Sequence, residues 1–87
     1  MRIYMQSNNS EDSKIPKFYQ IHLEQDLLQG WLVVKEWGHQ GSPGRVKREH
    51  YDTFEAAELA ISNARDSQIK RGYKVVFVQG DNSPGSL

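Results

Sequence analysis

Eighty-seven residues, 37% of them hydrophobic and 25% charged, describe one small domain with a single modest core, and they exclude both a second domain and wholesale disorder. Eleven lysines and arginines balance eleven aspartates and glutamates, which excludes a strongly basic binder of the histone kind. No apolar run approaches the roughly 20 residues that cross a bilayer, there is no cysteine, and the opening MRIYMQSNNS lacks the apolar centre of a secretory signal, so the expectation is a cytoplasmic protein with no membrane partner.

In residues 1–6, Ile3 and Met5 alternate with Arg2, Tyr4 and Gln6, the period of two that marks a half-buried strand, expected at a sheet edge. Residues 7–14, SNNSEDSK, carry no large apolar side chain and are expected to form a mobile loop. After Pro16, residues 17–23 place Tyr19, Ile21 and Leu23 on one face and Phe18, Gln20 and His22 on the other, a second strand with a clear inner side. A turn ending at Gly30 leads into residues 31–37, apolar on both faces: Leu32 and Val34 on one, Trp31, Val33 and Trp37 on the other. Such a strand belongs inside a sheet and is covered twice. One helix covers only one face, so loops, neighbouring side chains or a partner must shield the second. Gly38, Gly41, Pro43 and Gly44 then mark a tight loop, because glycine reaches positive φ without steric cost and proline pre-sets a turn. Residues 45–51 resume an extended pattern with two polar faces, completing a hairpin.

Asp52 or Thr53 supplies a helix N-cap, and Asp52 with Glu55 has the spacing of a capping box. Phe54, Ala57, Ala60, Ile61, Ala64 and Gln68 fall on one helical stripe; the alanines allow close approach to a sheet, with Phe54 and Ile61 as anchors. Lys70 and Arg71 suit the carbonyl end of a helix and Gly72 terminates it, giving about 18 residues or ~27 Å. Residues 74–78, KVVFV, make a fifth short strand. The expected fold class is α+β, an antiparallel sheet of four to five strands packed against one long helix. Residues 1–78 form the single domain and residues 79–87 a flexible C-terminal tail.

The chemistry of the chain points to binding. His22, His39 and His50 lack the i, i+4 spacing of a helical metal pair, and the Gly-Ser-Pro-Gly loop lacks the lysine and following helix of a phosphate-binding loop. No catalytic residue, metal site or cofactor is expected. Charge is unevenly spread: residues 35–50 hold Lys35, Arg45, Lys47 and Arg48 against Glu36 and Glu49, with His39 and His50 besides. The positive excess therefore sits on the hairpin. Trp37, at its mouth, allows two readings: an indole that closes the core, or a stacking platform for a base or sugar, a contact contributing about 1–3 kcal/mol. Lys35 shares a strand face with Trp37, whereas Trp31 is expected in the core.

The segments KFYQIHL, WLVVKEWGHQG, TFEAAELAI and KRGY, in this order and spacing, resemble the WGR domain, found in DNA-damage-sensing poly(ADP-ribose) polymerases and in short bacterial proteins. The resemblance covers residues 17–73 and implies the same sheet-on-helix fold. It implies that Trp37 packs against nucleic acid, that Lys35 is the upstream basic residue and that Gly38 and Gly41 are the motif glycines. The motif arginine is His39 here, Gln40 stands where the family often has Ile or Val, and Gln68 stands where a lysine is common. These departures weaken first the role that arginine plays toward other domains in the polymerases. The expected function is a nonenzymatic module that binds DNA or RNA, most readily DNA, through Trp37, Lys35, His39, Arg45, Lys47 and Arg48. The alternative is protein–protein interaction or self-association through the second apolar face of the third strand or an exposed strand edge.

Overall fold

The computed structural model describes residues 1–7 and 15–80; the expected loop beyond Ser7 and the expected tail beyond Gly80 lie outside the described residues. The elements follow the chain as β1 (Arg2–Ser7), β2 (Lys17–Gln25), β3 (Trp31–His39), β4 (Arg45–Tyr51), α1 (Phe54–Lys70) and β5 (Lys74–Gln79). They form an α+β fold in which one five-stranded sheet, ordered β4-β3-β2-β1-β5 with every neighbour antiparallel, packs on one helix. None of the described helices is long and apolar enough to cross a membrane.

Alternation of side chains about the sheet decides what the helix covers. Met5, Ile21 and Val33 are fully buried on the helix side, joined by Ile3, Ala57 and Ile61. Each large aliphatic side chain so buried contributes about 1.5–3 kcal/mol. Alanine at Ala57 and Ala64 brings the helix close, and Phe54 meets Trp31 edge to face at 5.2 Å between ring centroids, tying the helix start to the start of β3.

The first strand is not at an edge. β5 returns after the helix to pair with β1, putting Val78 beside Ile3 and Phe77 beside Tyr4, so β1 is interior and β5 takes the edge. The half-apolar pattern of β1 fits both positions, and only the pairing with a strand some seventy residues away decides between them.

The second face of β3 is shielded by its neighbours in the sheet. Val34 is 4% exposed although no helix lies over it, and the register places His22 of β2 and Arg48 of β4 on either side of it. Cross-strand neighbours in a sheet lie about 5 Å apart at Cβ, close enough for long side chains to close over a valine.

Both helix ends are satisfied locally. Thr53, not Asp52, is the N-cap: its hydroxyl accepts the Ala56 N–H at 3.1 Å, and no capping box centred on Asp52 is used. At the other end Gly72, at φ +99°, lets the Gly72 N–H reach the Ile69 carbonyl and the Tyr73 N–H reach the Gln68 carbonyl, both at 3.0 Å. This turn fixes where Arg71 and Tyr73 emerge.

The β2–β3 turn depends on Gly30, which sits at φ +90° while His50 Nε2 contacts the Gln29 carbonyl oxygen at 2.7 Å. A Cβ on Gly30 would lie 2.5 Å from the Tyr51 carbonyl oxygen. Gly30→Ala is therefore expected to lower stability by roughly 1–3 kcal/mol, read from the midpoint of a urea transition; an unchanged midpoint would contradict this account of the turn.

Candidate functional site

Two rows of the register build the site. On the helix side of the sheet Met5, Tyr19, Trp37 and Arg45 stand in one row across β1 to β4, and Ser7, Lys17 and His39 stand in the last row before the strands end. Tyr19 and Trp37 are stacked at 5.9 Å with their planes 19° apart, and the ring of Tyr73 meets Tyr19 edge-on at 6.0 Å. Tyr19 is 9% exposed and belongs to the core, whereas Trp37 is only half buried. Part of the indole remains open to solvent.

Beside these rings lies a cleft of about 600 Å³ lined by Ser7, Lys17, Tyr19, Trp37, Gln68, Arg71 and Tyr73. Three aromatic rings and two cations thus face one volume, and among the described residues that line it there is no carboxylate. Lys17 comes from the first residue of β2; Gln68, Arg71 and Tyr73 come from the last turn of α1 and the glycine turn after it. Burial pushes the Tyr19 phenol above its ordinary range, so it stays a neutral ring and hydroxyl at physiological pH.

A second depression shares Tyr19 and Gln68 with the cleft and runs between α1 and β4, past Lys35, Glu49 and Tyr51. Lys35 Nζ is 2.8 Å from Glu49 Oε1, and Lys47 Nζ is 3.8 Å from the other carboxylate oxygen. Burial works against the Lys35 ammonium, but the Glu49 carboxylate outweighs it and holds the lysine above its ordinary range. Glu49 is in turn held below the usual carboxylate range, first by its contact with Lys35. Lys35 is therefore a paired cation inside the fold.

The residues singled out from the sequence separate into groups. Trp37 lines the cleft; Arg45 stands across from it, exposed; His39 is exposed at the strand end across from Lys17. Lys35 and Lys47 oppose each other and both turn to Glu49. Arg48 stands beside Val34 on the face away from the helix, apart from the cleft. Gly38 and Gly44 let the two hairpin strands close together: a Cβ on Gly44 would lie 2.9 Å from the Trp37 carbonyl oxygen and 3.0 Å from the Phe18 ring, and one on Gly38 would lie 3.2 Å from Gly44 Cα. Gly41, at φ +81°, serves the turn itself.

Lys17, Tyr19, Arg71 and Tyr73 were not reached from the sequence as site residues. The i, i+2 spacing of Lys17 and Tyr19 places them on one strand face, and that signal was available. What brings Arg71 and Tyr73 to the same place is the helix-terminating turn. Among the described residues no group of three or more His, Asp or Glu side chains could hold a metal ion.

A family model for the WGR domain matches residues 1–78. In poly(ADP-ribose) polymerases this is a nucleic-acid-binding type of domain, a binding module and not a catalytic one. No curated protein matches the chain.

The Lys35–Glu49 ion pair in the second depression gives stability a defined pH window. Glu49, depressed when folded, stabilises above the ordinary carboxylate value of 4.5, and that stability is lost as pH falls through its folded value. Lys35, raised when folded, stabilises below the ordinary lysine value of 10.5, and that stability is lost as pH rises through its folded value. Urea midpoints across pH should therefore fall at both ends, and Glu49→Gln should flatten both limbs; limbs that stay as steep in the variant would show that this pair is not their source.

Proposed function

Because the chain belongs to the WGR domain family, we propose that it is a nonenzymatic nucleic-acid-binding module, with DNA as its ligand, that grips one strand at the cleft. The observation that carries this reading is the lining: stacked Tyr19 and Trp37, the edge of Tyr73, and the cations Lys17 and Arg71, with no described carboxylate among them. A base or sugar packs on the open part of the indole, backed by Tyr19, and the adjoining phosphates meet Lys17 and Arg71. Stacking is tolerant of sequence, since every base has a π-face, and the cations supply charge without reading bases.

The remaining cations take different parts. Arg45 and His39 flank Trp37 and Lys17 in the register, and Arg45 extends the positive rim. Histidine at the position of the motif arginine lacks the planar guanidinium fork that grips phosphate in two places, so it contributes less to phosphate binding there than an arginine does. Lys35 positions, being held by Glu49, and Lys47 leans toward the same carboxylate. Arg48, on the far face, adds only long-range attraction, which salt screens within a Debye length of about 8 Å in physiological buffer.

Fluorescence anisotropy with labelled single-stranded, duplex and nicked DNA, and with RNA, tests this. Trp37→Ala should weaken binding by about 5- to 150-fold, the range of one lost stacking contact, with the circular dichroism of the fold retained. Lys17→Gln and Arg71→Gln should each reduce the slope of log affinity against log salt by roughly 1, while Arg48→Gln changes it less. A salt-independent affinity, or full affinity in Trp37→Ala, would overturn the reading.

A further inference from the structure

The two edges of the sheet are unlike. β4, at one edge, presents Arg45, Lys47, Arg48, Glu49 and His50, and charged side chains of this kind keep an edge from pairing with another strand. β5, at the other, reads KVVFVQ, and its four consecutive apolar residues are all exposed: Val75 by 40%, Val76 by 57%, Phe77 by 53% and Val78 by 58%. An exposed apolar strand whose outer backbone edge carries no run of charged side chains is open to pairing with another strand. β5 has a described neighbour on one side only, β1.

We infer that a second copy of this chain occupies the outer edge of β5, pairing antiparallel about a two-fold axis so that two sheets join into one of ten strands. The strand suits itself: centred between Val76 and Phe77, the pairing sets Val75 opposite Val78, Val76 opposite Phe77, and Lys74 opposite Gln79, so no like charges meet. The chain carries no net charge, so the copies do not repel at long range. On its inner edge β5 already accepts an antiparallel partner, with Val76 skipped where the register shifts opposite Tyr4 and Met5. An interface of one six-residue strand falls in the class below about 1,200 Å², so the dimer forms reversibly at high protein concentration.

The arrangement has a consequence for the cleft, though it does not rest on it. Tyr73 immediately precedes Lys74, so an antiparallel junction sets the two clefts at opposite ends of the joined sheet, on the same face. A polyanion long enough to reach both is then held by two sites at once.

Light scattering on the intact chain over a range of concentrations tests the inference. The mass is expected to rise toward twice that of the monomer. Val76→Lys, which gives β5 the kind of guard β4 has, should hold it at one, and Leu59→Lys, at another exposed apolar side chain on α1, should leave the dimer intact. Because Val76→Lys could also disturb the fold, amide exchange in the unaltered protein is the second measurement. Exchange of the β5 amides should slow as concentration rises while that of the β4 amides does not. A mass fixed at one monomer at every concentration, a dimer that survives Val76→Lys, or β5 exchange independent of concentration would each overturn it.

Discussion

The stacked pair of Tyr19 and Trp37 joins the interior of this protein to the cleft. Tyr19 is buried, packed with Met5, Ile21 and Ala64 in the core, and it is also the floor of the cleft. Trp37 stacks on its ring. The indole is therefore backed by a buried ring without being enclosed itself. The rest of the site follows from the same pair. The row that carries it continues to Arg45, the last row carries Lys17 and His39, and Lys35, two residues behind Trp37, pairs diagonally with Glu49, which stands opposite Val33.

Glycine makes this geometry possible on the reverse side of the hairpin. Directly after Trp37 the strand passes close to Phe18 and Gly44; a side chain at Gly44 would collide with the Trp37 carbonyl oxygen, and one at Gly38 would press on Gly44 Cα at 3.2 Å. The parallel rings of Phe18 and Tyr4, 6.3 Å apart, then close that end of the open face, and Gln40 donates to the Tyr4 hydroxyl. The tryptophan–glycine pair thus does two jobs in adjacent residues: one places a ring on the helix side, the other clears the space that the opposite side needs.

Much of this could be read from the residues. Period-two alternation placed Tyr19 and Ile21 on an inner face and grouped Val33 with Trp31 and Trp37, though which face of that strand the helix covers was left open; the spacing of Ala57, Ile61, Ala64 and Gln68 marked the buried helical stripe. Local pattern failed where the deciding interaction is distant. β1 is interior because β5, some seventy residues away, pairs with it. The N-cap was legible as Asp52 or Thr53, and Thr53 takes it. The charge count misled in another way. Residues 35–50 are basic in sum, yet strand alternation sends Arg48 to the far face and Glu49 takes Lys35 into an ion pair. The cations nearest the rings, Lys17 and Arg71, lie outside that stretch, and only the folded chain brings them to it.

An NMR titration of isotope-labelled protein with a short single-stranded DNA, following every backbone amide and the indole N–H of Trp37, bears most directly on the claim that this cleft is the binding surface. The account predicts that the shifts concentrate at Lys17, Trp37, Arg71 and Tyr73 and fade as salt is raised. Shifts confined to Arg48 and the face around Val34, with the Trp37 indole unmoved at saturation, would contradict it.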